Sequence, residues 1–163
     1  MKSKNTYLIP MAKKHILHQM SDSPAHIVYN SPNGAVYDLT WAVDFLCDIG
    51  TPINAASDGE IVHIHNTVKR TISIEDLDKT GEDVDQDGNF VVIKHSNGEY
   101  SQYSHLKFGS IKVEVGQTVK AGKVIGLSGH TGVSIKPHLH FFVFKFYKPK
   151  SKGWKSLEVR WSE

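Results

Sequence analysis

The fold class is decided by residues 89–105, which read NFVVIKHSNGEYSQYSH. Two runs rich in β-branched and aromatic residues, 89–95 and 99–105, flank the pair Asn97-Gly98. Both residues of that pair tolerate the positive φ that a two-residue hairpin turn demands. The stretch therefore predicts two antiparallel strands joined by a tight turn.

Short runs of the same kind recur along the chain, with turn residues between them. Further strands are predicted at 41–46, 59–65, 110–115, 123–128 and 139–147. Only residues 72–79 would hold a turn or two of helix. Many short strands separated by turn signals are typical of an all-β domain. The sequence therefore predicts a mainly β, antiparallel fold.

Three stretches are rich in turn-forming and charged residues and are predicted as loops: 20–40, 66–88 and 148–156. Seven acidic residues lie between residues 75 and 87, and six basic residues lie between 145 and 160. Charge runs of this kind are usually solvated loops. Loops of about 20 residues are uncommon in a compact domain and often form the walls or lids of a functional site.

The composition excludes several classes of protein. A length of 163 residues fits one domain, and the 39% hydrophobic and 22% charged contents are typical of a soluble globular protein. The formal charge of +2 is too small to favour nucleic acid as a partner. No window approaches the roughly 20 apolar residues that cross a bilayer, and the first 20 residues lack the apolar stretch of a secretory signal. We therefore predict no nucleic-acid partner, no membrane insertion and no export signal.

Ten histidines are the unusual feature of this composition. His138 and His140 are two apart in a predicted strand, so their side chains point to the same face. Such a pair can share a metal ion, or one histidine can bind the metal while the other transfers protons. His63 and His65 have the same spacing, and spacing alone does not rank the two pairs. Either pair could equally be two partly exposed strand histidines.

Asp44 is the only charged residue in the apolar run 41–47. Burying an unpaired carboxylate costs on the order of several kcal/mol, so this side chain must be held by hydrogen-bond donors, a cation or a metal. Cys47 lies in the same run and is the only cysteine, which predicts a buried, inert thiol. His105 closes a predicted strand and fits either a surface histidine or a catalytic one.

The acidic residues Asp83, Asp85 and Asp87 alternate as they do in calcium-binding loops and are followed by Gly88. Counted from Asp83, the twelfth position is Lys94, whereas an EF-hand has a bidentate glutamate there. A solvated acidic loop is favoured, and a Ca²⁺ ion at these three carboxylates stays open as the alternative.

Taken together, these segments resemble the lysostaphin/LytM-type family of zinc metalloendopeptidases, which act on peptidoglycan. The resemblance runs in the family's order from about residue 41 to residue 144, nearly two-thirds of the chain. The matching stretches are 42–45, 50–62, 89–95, 103–106, 115–122, 125–132 and 137–141. No single stretch is specific, whereas the ordered set is.

The resemblance implies that Asp44 and His140 bind one Zn²⁺ ion per chain, and that His105 and His138 move protons beside it. Two imidazoles and one carboxylate leave the fourth tetrahedral position open, as in catalytic zinc sites. Water bound there would ionise near neutral pH. His105 and His138 would then handle the protons of water, oxyanion and leaving amine. By the same resemblance, the pair at residues 63 and 65 belongs to an ordinary strand.

The sequence departs from the commonest form of the family pattern at the first zinc ligand. That form has a histidine four residues before Asp44, and this chain has Thr40 there. Family members with a Tyr/Trp-Ala-Val/Leu-Asp-Phe sequence place the histidine further upstream, on a loop, and His26 lies in that region. We predict His26 as the third zinc ligand. The alternatives are Asp38 as the ligand, or an unsuitable residue, with His26 a plain surface histidine.

The resemblance also implies a fold, the duplicated hybrid motif, which is a hybrid of antiparallel sandwich and barrel. Its long loops would wall a groove for an extended peptide, and they are 20–40, 66–88 and 128–137. We divide the single domain into three parts: an N-terminal extension and loop at 1–40, a metallopeptidase core at 41–147, and a basic loop with a C-terminal strand at 148–163.

The implied partner is the peptide part of peptidoglycan, and the target bond lies in a stem peptide or in a cross-bridge. We expect a monomer. Such a substrate implies a location in the cell envelope or outside the cell. Because we predict no export signal, the sequence does not indicate how the protein would reach that location. The basic run at 145–160 would also suit an anionic polymer of the cell wall.

Two alternatives to the peptidase stay open. The first is a metal-free, degenerate member of the family that binds cell wall or activates another hydrolase, and Thr40 is its support. The second is a carrier domain, because residues 115–126 also resemble biotinyl and lipoyl hairpins and phosphocarrier domains. A biotinyl or lipoyl carrier would need a lysine at a tight hairpin tip, and a phosphocarrier would use a histidine pair without Asp44.

Overall fold

A computed structural model describes residues 1–73, 75–76 and 85–162 of the chain. The described strands are β1 Lys2–Tyr7, β2 His18–Met20, β3 Val28–Asn30, β4 Val36–Asp38, β5 Val43–Leu46, β6 Pro52–Asn54, β7 Gly59–His65, β8 Thr71–Ile72, β9 Asn89–Lys94, β10 Tyr100–Leu106, β11 Thr118–Val119, β12 Val124–Leu127, β13 Gly132–Val133, β14 His138–Phe146 and β15 Gly153–Trp161. Two short 3₁₀ turns are described, at Lys13–His15 and Lys150–Lys152.

One large sheet contains eleven of these strands, and β6 with β12 and β8 with β13 form two separate two-stranded sheets. The main path of the large sheet runs β11-β7-β9-β10-β14-β15-β4-β3, while β5 pairs with β14 and β2, and β1 pairs with β15. Most pairs are antiparallel, and the parallel pairs are β1 with β15, β4 with β15 and β8 with β13. Among the described residues the sheet does not close into a barrel. The predicted mainly β, antiparallel fold is therefore confirmed.

The predicted hairpin is formed, although Gly98 and not Asn97 takes a positive φ in its turn. Strands β9 and β10 pair antiparallel, and Gly98 takes φ 78° in the turn between them. The amide of Glu99 donates to the side-chain oxygen of Asn97, which fixes the tight turn. This pairing places β10 in the middle of the sheet, next to β14.

The two faces of the sheet bury different clusters because side chains alternate along each strand. On β14, Leu139, Phe141 and Val143 pack into the larger core cluster, while Phe142 and Phe144 belong to a second, mostly aromatic one. The ring of His140 lies 5.5 Å from that of Phe142. The even-numbered face of β14 therefore carries both the aromatic cluster and the candidate site.

Four local predictions were wrong. Residues 110–115 form no strand, because their described backbone amides donate singly to different carbonyls, such as Ser110 to Lys107 and Lys112 to Ile125, instead of forming a ladder. The predicted loop 20–40 contains the β3–β4 hairpin, the predicted loop 66–88 contains β8, and β15 begins inside the predicted loop 148–156.

Other predictions concern segments that are described in part or whose division is not tested. Within the predicted helical turn at 72–79, residues 75 and 76 are helical and residue 72 ends β8, while residues 74 and 77–79 lie outside the described residues. The N-terminal 40 residues supply four strands to the large sheet. The division at residues 41 and 147 stays a prediction. No helix in the described part of the chain has the length and apolar character to span a membrane.

Candidate metal centre and active site

Asp44 and His140 face each other on neighbouring strands. They are direct partners in the antiparallel pairing of β5 with β14, so their side chains emerge on the same face at the same level. The Nδ1–H of His140 donates to Oδ1 of Asp44 over 2.8 Å. Both residues are buried. The charge that stood out in an apolar run is therefore held by a histidine from the strand beside it.

His26 reaches the same carboxylate from the loop before β3. Its Nε2 lies 3.3 Å from Oδ1 of Asp44, and only 2% of its side chain is exposed. The Nδ1–H donates to the backbone carbonyl of Ser21 over 3.2 Å, which leaves a lone pair on Nε2. That buried Nε2 atom has no hydrogen-bond partner among the described residues.

These three residues fit a metal ion. One ligand atom from each of His26, Asp44 and His140 lies within 4.8 Å of the other two. Tetrahedral zinc with bonds of about 2.0–2.2 Å keeps its ligand atoms about 3.4 Å apart, so only small movements are needed. The unpaired Nε2 of His26 would gain a partner, and the ion would replace the proton between His140 and Asp44.

His105 and His138 lie beside this cluster. Their ring centroids are 4.5 Å apart, and His138 Nε2 is 3.7 Å from Oδ1 of Asp44. The Nδ1–H of His105 donates to the carbonyl of Thr131, and that of His138 donates to the carbonyl of Lys136. Backbone carbonyls thus fix both rings in the tautomer that leaves Nε2 unprotonated.

The backbone at His105 is unusual. This residue has φ 61°, in the left-handed region that a β-carbon disfavours, and the β9–β10 ladder shifts register between Tyr103 and Leu106. Its amide donates to the carbonyl of Asp87, which holds the distorted strand end in place. Strain of this kind persists where the surroundings enforce it and is common at functional sites.

The charged forms of Asp44 and His26 stabilise each other, as the directions of their pKa shifts show. Burial raises the pKa of Asp44, but the hydrogen bond from His140 and the nearby His26 and His138 outweigh burial, so that pKa lies well below its usual range. Burial lowers the pKa of His26, yet Asp44 beside it more than compensates, and the pKa is raised. Burial, helped by the neighbouring histidines, lowers the pKa of His105 to about 3. Burial also lowers the pKa of His138.

A cleft of about 400 Å³ opens over the side chains of Asp44, His105, His138 and His140, while His26 lies behind them, out of the lining. Its walls come from three segments: residues 20–39, residues 86–87 and residues 133–136. These segments belong to the three loops that were expected to wall a groove. The exposed side chain of Ile135 stands on the rim. The arrangement offers a trough that is lined by Asp44 and His140 of the candidate metal centre.

Of the other sequence candidates, His63 and His65 lie on β7, away from this cluster. His65 Nε2 is 2.9 Å from Oδ2 of Asp85, and both rings pack against Phe90. Asp38 accepts a hydrogen bond from the amide of Thr40. Neither Asp38 nor the β7 pair is in the metal-type cluster of the described residues.

The structure gives a calcium ion no support. Asp83 lies outside the described residues, the carboxylate of Asp85 faces His65, and that of Asp87 accepts from Gln102. Cys47 is buried as predicted, and burial raises the pKa of its thiol.

Sequence reasoning missed the groups that orient the histidines. The backbone carbonyls of Ser21, Thr131 and Lys136 orient the rings of three site histidines. Every residue has a backbone carbonyl, so the residue type does not show which one accepts such a hydrogen bond. Asp87 was counted with the solvated acidic run, yet it lines the cleft. Its contact with Gln102, 15 residues away, carries no signal in the sequence.

Comparison with known proteins gives consistent matches. The family described as Peptidase family M23 matches residues 39–152. Lysostaphin from Staphylococcus simulans is 37% identical over 111 residues, which are 68% of this chain and 19% of that protein. Peptidoglycan DD-endopeptidase ShyA from Vibrio cholerae is 38% identical over 98 residues, which are 60% of this chain and 18% of that protein. The chain spans a quarter or less of the length of the first curated relatives.

Solved structures agree with the fold. The catalytic domain of lysostaphin from Staphylococcus simulans matches with a TM-score of 0.51 and 33% identity over 68% of this chain and 71% of that one. A zinc-containing peptidase from Vibrio cholerae matches with a TM-score of 0.54 and 25% identity, covering 85% of this chain and 36% of that one.

Proposed function

Because the chain belongs to peptidase family M23, of the lysostaphin/LytM type, we propose that it is a zinc-dependent endopeptidase that hydrolyses peptide bonds in bacterial peptidoglycan. The observation that carries the proposal is the cluster of His26, Asp44 and His140, of which Asp44 and His140 line a cleft. Lysostaphin and a peptidoglycan DD-endopeptidase are among the relatives with which the chain shares more than a third of its aligned residues.

His26, Asp44 and His140 would hold one zinc ion. Two of them come from paired strands and the third from a loop, so the site depends on the tertiary fold. The Ser21 carbonyl orients the ring of His26, the kind of outer support that metal-binding histidines usually have. When bound, zinc supplies an ionised water near neutral pH and polarises the scissile carbonyl.

His105 is suited to accept a proton. Its Nδ1–H is committed to the Thr131 carbonyl, so Nε2 is the free acceptor. Burial lowers its pKa to about 3, which keeps the ring neutral but makes it a weak base, so the protonated form would depend on stabilisation by the nearby Asp44 carboxylate. A neutral imidazole beside the cluster can take a proton from the attacking water.

His138 would share the proton transfers. Its ring is 4.5 Å from that of His105, and its Nε2 faces Asp44. A proton at this Nε2 would be stabilised by the nearby carboxylate and would be available to the oxyanion or the leaving amine. The two histidines together replace the single glutamate base of other metalloproteases.

The cleft suits an extended peptide. Its walls include the apolar side chains of Met20, Leu39 and Val133. Backbone groups of a bound peptide would lie over the row of histidines. The scissile bond would belong to a stem peptide or a cross-bridge, and the substrate implies a site of action in the cell envelope or outside the cell.

A metal-free binding module is the second candidate, and Thr40 is the observation that favours it, because the commonest pattern has a zinc-binding histidine there. The buried, unpaired Nε2 of His26 beside Asp44 argues for the enzyme. Metal analysis of the purified protein separates the two. A protein that binds cell wall but takes up no zinc would support the module.

The direct test is digestion of purified peptidoglycan by zinc-loaded protein, followed by mass analysis of the released fragments. We expect fragments that differ from the intact muropeptides by one water across a peptide bond, and none from protein treated with a chelator. Fragments produced by cleavage of glycosidic bonds, or an intact polymer, would refute the proposal.

A further inference from the structure

One carboxylate in the cleft has no part in the mechanism above. Asp87 lines the same trough as Asp44, His105 and His140. Its backbone carbonyl already accepts the amide of His105, so the segment that carries it is tied to the active site. The side chain is therefore placed within reach of anything that lies along the histidines.

The Asp87 carboxylate is held in position by a buried side chain. Gln102, 7% exposed, donates from Nε2 to Oδ2 of Asp87 over 3.0 Å, and the same nitrogen is 3.0 Å from Oγ of Ser104. A surface carboxylate would be free to rotate, whereas this one is fixed. Fixing a charged group before the substrate arrives lowers the entropy cost of binding.

The register of the sheet sets its distance from the reaction. Ser104 lies opposite His140, and Gln102 lies two residues away on the same face of β10. Two residues of a strand span roughly 7 Å. Asp87 therefore meets a substrate side chain within about two residues of the scissile bond.

The charge balance of the cleft leaves Asp87 available. Among the described lining residues the carboxylates are Asp44 and Asp87, and Asp44 would be neutralised by the metal. Lys136 stands in another wall segment and would attract carboxylates. A protonated amine is the substrate group that a fixed, otherwise uncommitted carboxylate selects.

We propose that Asp87 is a specificity-determining residue, whose carboxylate binds the side-chain ammonium of a diamino acid in the peptide substrate. This inference rests on the proposed function. A side-chain amine keeps a constant distance from the bond that is cut. The free amino terminus of an endopeptidase substrate lies at a variable distance from that bond. The side-chain amine is therefore the group that a fixed carboxylate can bind selectively.

The test uses a synthetic peptide that contains the bond identified in the digestion of peptidoglycan. It is made with lysine at the diamino-acid position and, as a matched control, with norleucine, which has the same length and no charge. For the wild type, kcat/KM should be about 10- to 100-fold higher for the lysine peptide, chiefly through KM, as expected for one hydrogen bond to a charged group.

Asp87→Asn should remove this preference by lowering kcat/KM for the lysine peptide to the norleucine value. The norleucine peptide itself should be cleaved at an unchanged rate. Asp85→Asn is the control variant, because Asp85 lies in the same segment but faces His65 instead of the cleft. It should keep the full preference.

A merely structural role for Asp87 gives a different pattern. If Asp87→Asn lowered kcat equally for both peptides, the carboxylate would position the segment and the proposal would be wrong. A wild type that cleaves both peptides equally well would overturn it without any variant. Failure of the proposed function is distinct, because the peptidoglycan would then not be cut at all.

Discussion

Two His-x-His pairs lie on strands of the same sheet, and only one of them is part of a candidate site. His138 and His140 on β14 lie beside Asp44 of β5, whereas His63 and His65 on β7 lie beside β9 and pack against Phe90. Both pairs have the spacing that places imidazoles on one face.

The neighbouring strand and the loops make the difference. Asp44 receives His140 directly, and His26 and His138 surround the same oxygen. On β7 the carboxylate available to His65 is Asp85, in a segment with exposed side chains. Spacing therefore supplies a pair of imidazoles, while a buried carboxylate from the neighbouring strand makes the pair a candidate metal site.

Replacement of the second histidine in each pair should give the largest contrast. His140→Ala should lose zinc and cleavage, by more than the roughly 100-fold that the loss of a supporting partner costs a metal site. His65→Ala should stay within about twofold of the wild type, since its ring lies away from the cluster, beside the exposed Asp85 and against Phe90. Zinc content and peptidoglycan cleavage of the two purified variants check this. Equal losses in both variants would remove the distinction between the pairs.

His105→Ala should separate proton transfer from metal binding. The side chain is beside the cluster but outside the ligand set, so zinc should stay bound at one ion per chain. Cleavage should fall by about 10²- to 10⁴-fold, the usual contribution of a general acid or base. The rate and the zinc content are measured on the same sample. Retained cleavage would move the role to another residue.

Gly88 lies in the segment that contacts both histidine regions. Asp85 of this segment pairs with His65, and Gly88 itself packs against the Thr131 carbonyl that accepts from His105. It has φ 61°, and a β-carbon there would collide with the Thr131 carbonyl. Gly88→Ala should therefore destabilise the protein by about 1 kcal/mol or more beyond the strain itself, and it should lower kcat about tenfold by displacing the acceptor of His105.

Gly34→Ala is the matched control for that variant. Gly34 has φ 82° with no atom near its missing β-carbon, so it should show only the strain of about 1–2 kcal/mol and keep normal cleavage. Chemical denaturation and kinetics measure both. Similar stability and cleavage in the two variants would argue against a crowded active-site segment.

The buried His105 should also make the metal-free protein less stable in acid. Its pKa is lowered to about 3, against about 6.5 in the unfolded chain. The unfolded state therefore binds the extra proton as the pH falls below 6.5, and stability is lost down to about pH 3. Thermal unfolding of chelator-treated His105→Gln between pH 7 and pH 4.5 should show a shallower fall than the wild type. An identical slope would contradict a buried, neutral ring.

The parts of the fold that local patterns encode could be predicted from sequence. The Asn97-Gly98 hairpin and the strands at β7, β9, β10 and β14 were found, because their turns and apolar runs are local. Strand β1 was missed, because it pairs with β15 more than 100 residues away. The β3–β4 hairpin was missed although it is local, because its segment is rich in turn-forming residues. Residues 110–115 have an apolar pattern but no ladder partner.

The candidate site divides in the same way. Asp44 stood out as a single charge in an apolar run, which is a local signal. His138 and His140 could be ranked above the pair on β7 only through the family resemblance, and His26 only through the missing histidine at Thr40. The roles of these residues stay predictions, since the structure brings the side chains together without testing what they do.

Zinc content of the purified protein after dialysis, measured by elemental mass spectrometry, shows whether His26 completes a zinc site. His26→Gln is compared with His18→Gln, an exposed histidine of the same N-terminal region. We predict one zinc per chain in the wild type and in His18→Gln, and little or none in His26→Gln. A wild type without zinc, or His26→Gln with unchanged zinc, would contradict the account.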